Sequence, residues 1–289
     1  MKREPARMTR VPAPLLALAA IVSVQLGAAI AKTRFDEVGS VGAATLRLVI
    51  GAVVLALVIR PRVRHWNRAQ WLGAIGLGLA LGGMNVFIYL AFASIPIGVA
   101  VTIEFLGPLT LSLVHTRRWR DVLWAVLALA GVVLLGVGPS AVTQLGGIAF
   151  AVAAAVCWAG YIVMNRHVGS IIPGVDGLAV SMVVAMLVSL PFGLRTAVTG
   201  IVADPTLLIV FGAVAVLSSV LPYALEMLAL RRMPTRVFGI LQSLGPAVAA
   251  LAGLLVLHEA LSLVEVLALA CVTAASVGVT VYSSRRKSA

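Results

Sequence analysis

The sequence predicts an all-α integral membrane protein. Ten transmembrane helices are expected, arranged as two inverted five-helix repeats, with the N and C termini cytoplasmic. Three observations carry this: the composition, the spacing of the apolar runs, and the alternation of basic loops. Of 289 residues, 61% are hydrophobic and 11% are charged, and the mean hydropathy is +1.10. A soluble domain is about half apolar and about a quarter charged. The net charge of +12 does not mark a nucleic-acid binder, because the basic residues lie between apolar runs of spanning length.

Those runs fall at 12–31, 41–59, 71–93, 97–115, 119–138, 145–164, 177–194, 206–230, 235–257 and 262–282. Each is expected as a helix, since a helix satisfies its own backbone polar groups in lipid. The first run follows Lys2, Arg3, Arg7 and Arg10 and ends Ala29-Ile30-Ala31, which resembles a signal-peptide cleavage site. Its length is that of a full span, so it is expected to remain. The third and fourth runs are separated mainly by Pro96, the eighth and ninth by the turn from Arg231 to Thr235.

Charge sets the orientation. Basic residues mark the N-terminus and then every second loop: Arg60, Arg62, Arg64 and Arg68; Arg117, Arg118 and Arg120; Arg166; Arg231, Arg232 and Arg236; Arg285, Arg286 and Lys287. The alternate loops hold only Lys32, Arg34 and Arg195. By the positive-inside rule the basic side is cytoplasmic. One missed helix would scramble the alternation, so it also supports ten.

The chain repeats itself. Pro96 and Pro108 recur as Pro234 and Pro246, each 138 residues on, and Leu106-Gly107-Pro108 recurs as Leu244-Gly245-Pro246. "LALAG" at 127–131 matches "LALAC" at 267–271. The expected division is 1–140 and 141–289, five spans in each. Five is odd, so the second half enters the membrane upside down. Inverted repeats are typical of secondary transporters, with the substrate site near the midplane between the halves.

Ionisable groups inside a span are costly and are functional candidates by default. Glu104 lies seven residues into its span, roughly 10 Å deep at about 1.5 Å per residue. Its repeat partner is Gln242, entering from the opposite side. Glu104 is a candidate to bind a substrate ammonium or a proton, or to be a structural acid paired with Arg47. Arg47 lies at similar depth and could lock Glu104 or bind a substrate carboxylate. Glu226 lies near the cytoplasmic end of its span beside Arg231, Arg232 and Arg236, placed for an ion pair or for substrate contact. Gln25, Asn85, Tyr89, Trp158, Tyr161 and Tyr223 are candidate cavity residues, with lipid-interface anchoring as the alternative for the aromatics. Asn85 and Tyr89 are four apart and share a helix face. Pro96, Pro108, Pro222, Pro234 and Pro246 are candidate hinges or helix breaks. Gly78 and Gly82 form one GxxxG, a weak packing signal.

Other chemistry is missing. No P-loop, H-E-x-x-H, C-x-x-C or G-x-S-x-G motif occurs, His115 and His258 lie far apart, and Cys157 and Cys271 have no metal or disulfide spacing and are expected as buried free thiols. No enzyme, metal or cofactor is expected. A passive channel would usually need rings of charge or oligomeric symmetry, which one chain of inverted halves does not require. Oligomeric state is not legible in the sequence, and a monomer is compatible with it.

Several stretches resemble a known family. "LGGMNVFIYLAFASIPIGVAVTIEFLGPL" (81–109), "LPYALEMLALRRMPTRVFGIL" (221–241), "ATLRLVIG" (44–51) and "CWAGYIV" (157–163) are similar to the threonine/homoserine-exporting EamA-type proteins of the drug/metabolite transporter superfamily. The resemblance covers nearly the whole chain. It implies ten helices, export of small amino acids across the cytoplasmic (inner) membrane, threonine and homoserine first, and coupling to protons. It places Arg47, Asn85, Glu104, Tyr223 and Glu226 at family motif positions. One departure stands out: the family often reads S-L-E-P where this chain has Ser243-Leu244-Gly245-Pro246. A broad-range drug or metabolite exporter on the same scaffold is the alternative. The expected mechanism is alternating access around a midplane cavity, in which protonation of Glu104 releases a substrate ammonium.

Overall fold

Prolines and small residues decide where this chain breaks and how closely its helices pack. The computed structural model describes residues 11–114, 119–135, 141–172, 174–230 and 232–285. Among them there are helices and no strands. The helices are α1 (Ala13–Lys32), α2 (Phe35–Val38), α3 (Ser40–Ile59), α4 (Arg68–Phe92), α5 (Ile97–Glu104), α6 (Leu106–Val114), α7 (Trp119–Leu135), α8 (Ala141–Ile171), α9 (Asp176–Ala203), α10 (Leu207–Ala215), α11 (Leu221–Leu230), α12 (Thr235–Gln242), α13 (Gly245–Leu257) and α14 (Leu263–Arg285). A π-helical turn, Val216–Val220, joins α10 to α11. The basic residues Lys2, Arg3, Arg7, Arg10, Arg117, Arg118, Arg231, Arg286 and Lys287, and also His115, lie outside the described residues.

Among the described residues six stretches are long and apolar enough to cross a membrane: Ala13–Lys32, Ser40–Ile59, Arg68–Phe92, Leu145–Ile171, Asp176–Ala203 and Val237–Leu257. Ile97–Leu111, Leu207–Val220 and Leu263–Gly278 are shorter apolar stretches. Large apolar side chains such as Leu57, Val58, Phe192, Val202, Ile209 and Leu255 stand on the outside of the bundle. That is the surface a bilayer requires.

Three runs expected as continuous helices are interrupted, at 97–115, 206–230 and 235–257. The first and third break for one reason. Pro108 has no N–H to give the Glu104 carbonyl four residues back, and Pro246 has none for Gln242. So α5 ends at Glu104 with Phe105 as its cap, and α12 ends at Gln242 with Ser243 as its cap. Pro96 and Pro234 stand at the N-caps of α5 and α12, with ψ of 144° and 139°. They mark helix starts, where a fixed proline φ costs nothing.

Packing follows the small residues. α4 lies against α8 and α9, α3 against α9, and α7 against α14. α1 packs on α11, α12 and α13, and α5 on α13 and α8. The Gly78–Gly82 pair presses α4 onto α9: a Cβ at Gly78 would come 2.6 Å from the Ser181 carbonyl oxygen, and one at Gly82 would come 3.0 Å from Ala185 Cα. In lipid such close approach is the main source of helix association. Cys157 and Cys271 are free, and both are half-buried rather than buried.

Candidate functional site

The residues around the two helix breaks converge on one cavity. Its volume is about 190 Å³, and α1, α3, α4, α5, α8, α11, α12 and α13 all reach it. Two helix faces supply much of the wall. Ile21, Val24, Gln25 and Ala28 line it from α1, and Asn85, Ile88, Tyr89 and Phe92 from α4. Both sets follow the spacing i, i+3, i+4, i+7 of one helix face.

The polar groups are held in different ways. Glu104 is 8% exposed and lines the cavity. Its carboxylate has no hydrogen-bond or ion-pair partner among the described residues. The sequence left open an ion pair with Arg47. The two charges feel each other electrostatically but do not pair. Arg47 Nη2 instead donates to the Ser218 carbonyl oxygen at 3.1 Å, and its guanidinium carbon stands 5.8 Å from the centre of the Tyr89 ring. Asn85 Nδ2 donates back to the Leu81 carbonyl oxygen at 2.8 Å, which leaves the amide oxygen for other partners. Gln242 Nε2 donates to Glu226 Oε1 at 2.9 Å. Glu226 therefore meets the repeat partner of Glu104 across the cavity wall. Trp158 packs edge-on against Phe105, ring centres 5.2 Å apart.

Gln25, Arg47, Asn85, Tyr89, Glu104, Trp158, Glu226 and Gln242 thus share one site. Tyr161 does not line it; it packs against two other apolar clusters, one containing Leu48 and Leu81 and the other Leu77 and Val168. The side chain of Tyr223 lies outside the described residues. Gly245 is in the wall, and a Cβ there would meet the Phe105 ring at 3.4 Å, an ordinary contact.

Sequence reasoning missed three contributors. Ser218 belongs to the π-helical turn, whose Leu217 and Ser218 carbonyls take side-on hydrogen bonds from Ser23 on α1 and Arg47 on α3. π turns arise often at functional sites, but none is readable from "VLSSV". Lys32 and Glu259 form a clasp at one end of the bundle. Lys32 Nζ is 2.6 Å from Glu259 Oε1 and donates to the Ile95 carbonyl oxygen at 3.0 Å. Glu259 Oε2 accepts from the Ile97 N–H at 2.9 Å, capping α5. The available signal was a lone base and a lone acid ending two runs on the same expected side. Among the described residues no three His, Cys, Asp or Glu come together as a metal site.

Comparison with known proteins gives the chain a family. Residues 145–281 match the model of the EamA-like transporter family. The threonine/homoserine exporter RhtA of Salmonella typhimurium (strain LT2) is 40% identical over 273 residues, 94% of this chain and 92% of that protein. RhtA of Escherichia coli (strain K12) is 40% identical over 269 residues, 92% and 90% of the two chains. A solved crystal structure, 21% identical, superposes with a TM-score of 0.59 over 94% of this chain and 98% of its own, a likeness of fold. With this identity along nearly its whole length to the RhtA exporters, the chain belongs to the EamA-like transporter family.

Proposed function

We propose that this protein is a secondary transporter of the cytoplasmic membrane that exports small amino acids, threonine and homoserine first. The observation that carries it is the cavity. An unpaired carboxylate, a guanidinium, three amides, a second carboxylate and aromatic faces converge there in a chain 40% identical to RhtA. The volume of about 190 Å³ lies below the roughly 300–1,000 Å³ of sites for drug-sized ligands. Eight of the lining side chains can hydrogen-bond and four are aromatic, a balance that favours an amino acid over the drug or metabolite alternative.

The topology proposed is ten spans in two inverted halves, 1–140 and 141–289, with cytoplasmic termini. The helix pairings support it. The packing of α4 on α8 has its counterpart in α11 on α1, and that of α4 on α9 in α10 on α3. The packing of α5 and α6 on α8 is matched by α12 and α13 on α1. The halves rock about the cavity, the broken helices serve as hinge points at Pro96, Pro108, Pro234 and Pro246, and protons drive the cycle through Glu104.

The test is uptake of labelled threonine and homoserine into inside-out vesicles, with and without an imposed proton gradient. Gradient-stimulated uptake that disappears in Glu104→Ala is the expected outcome. No uptake of either, in vesicles shown to contain the protein, removes the substrate assignment. Uptake indifferent to the gradient removes the proton.

A further inference from the structure

The cavity wall holds two buried polar groups that the protein itself leaves unsatisfied. Among the described residues Arg47 Nε has no hydrogen-bond partner, and neither has the Tyr89 hydroxyl. They lie together, since the guanidinium carbon is 5.8 Å from the Tyr89 ring centre, and both residues line the cavity. Tyr89 is fully buried. A phenol hydroxyl so placed loses its water and gains nothing in return, which the fold would normally avoid.

The charge of Arg47 is unanswered as well. Its one hydrogen bond goes to a neutral backbone carbonyl, which fixes the guanidinium without neutralising it. Glu104 lines the same cavity but does not pair with it. A guanidinium inside a membrane span is costly until an anion meets it. Planar guanidinium is the side chain best matched to a carboxylate, through two parallel N–H donors. The Tyr89 hydroxyl adds a further donor on the residue whose ring the guanidinium stands over. Of the two acids in the same cavity, Glu226 already accepts from Gln242; Glu104, which can donate nothing when ionised, suits an ammonium.

We propose that Arg47 and Tyr89 form the carboxylate pole of the cavity, and that a zwitterionic amino acid binds with its carboxylate on them and its ammonium toward Glu104. The substrate is then the missing counter-ion of both side chains. The carbonyl of the π-helical turn is the strut that holds the pole in place. This rests on the amino-acid assignment and adds an orientation to it. It also adds a rule of selection: an amine without a carboxylate leaves Arg47 and Tyr89 unsatisfied and is rejected, whatever the remainder of its structure.

The experiment measures binding to the purified full-length protein, by ligand-induced thermal stabilisation. Three probes are compared: L-threonine, threoninol, which lacks the carboxylate, and 3-hydroxybutyrate, which lacks the ammonium. The native protein is expected to prefer threonine over threoninol by on the order of 10²-fold, the usual range for losing a charged hydrogen-bonded pair. Arg47→Gln should bring that ratio close to one by weakening threonine alone. Tyr89→Phe should reduce it in part. Arg47→Lys keeps the charge but loses the fork, and should fall between; it also serves if Arg47→Gln does not fold. Glu104→Gln should weaken threoninol and spare 3-hydroxybutyrate. Equal binding of threonine and threoninol by the native protein overturns the pole while leaving amino-acid export intact. So does discrimination that survives in both Arg47 variants. If threonine does not bind but another amino acid does, and Arg47→Gln abolishes its preference over its own alcohol, the pole stands and the threonine assignment falls. Binding of cationic amines alone, or of none of these compounds, overturns both.

Discussion

The helix breaks at Glu104 and Gln242 are built alike and finished differently. Each begins with an N-cap proline, runs eight residues, and ends where a proline four positions on withholds its N–H. The backbone device is the same, and each brings one polar side chain to the cavity. The finishing is opposite. Glu104 arrives without a partner, while Gln242 arrives already bonded to Glu226 at 2.9 Å. At the start of α5 the Ile97 N–H is held by Glu259, which Lys32 pairs. Repetition supplies the scaffold; the side chains at the ends decide which half carries a free charge.

The comparison can be broken first at Glu104. Glu104→Gln gives both breaks an amide. Gradient-driven uptake should fall by a factor of about 10² or more, in line with the roughly 2–5 kcal/mol lost when one member of a buried charged pairing is removed. Uptake that stays proton-coupled would take the carrier role away from Glu104. The reverse change, Gln242→Glu, makes the second break a copy of the first. It puts a second carboxylate against Glu226, and two carboxylates that close cannot both ionise. Uptake at neutral pH should drop by about tenfold or more and recover as the pH is lowered, because the pair can then share a proton. A flat pH profile in that variant would show that Gln242 and Glu226 do not meet.

A smaller effect is expected from Lys32→Ala, which removes the ion pair behind the start of α5. It leaves Glu259 half-buried without its ion partner. Stability in detergent should fall by on the order of 1–3 kcal/mol, less than the cost at a fully buried pair, and the thermal midpoint reports it. The smallest effect should come from Gly245→Ala. A Cβ there makes only an ordinary contact with Phe105, so threonine uptake should change by less than about twofold, inside the range for substitutions away from strained or tightly packed sites. A large loss would mean that Gly245 is needed for the movement of the break rather than for its resting shape.

Much of this was legible in the sequence, and the reasons are local. Glu104 and Gln242 stand at fixed distances from their prolines, and Asn85 and Tyr89 stand four apart, so their placing needs only backbone chemistry and helix geometry. What was not legible depends on which face of a helix turns inward and on what comes to meet it. Trp158 and Tyr161 are three residues apart on α8, yet one reaches the cavity and the other packs against the apolar cluster that holds Leu77 and Val168. Partners distant in the chain were also hidden. Arg47 meets the carbonyl of Ser218, in a π-helical turn 171 residues away, and not the acid expected at its own depth. No local pattern in residues 44–51 records it.

The clasp has a mechanical consequence. α5 is one short rod, with Ile97 held by Glu259 at one end and Glu104 at the other. At about 1.5 Å per residue the rod is roughly 10 Å long, too short to bend and with no proline inside it. A displacement of α5 at Ile97 is therefore carried to the carboxylate in the cavity. Lever and load are the two ends of the same eight residues, so the clasp and the cavity carboxylate are mechanically joined.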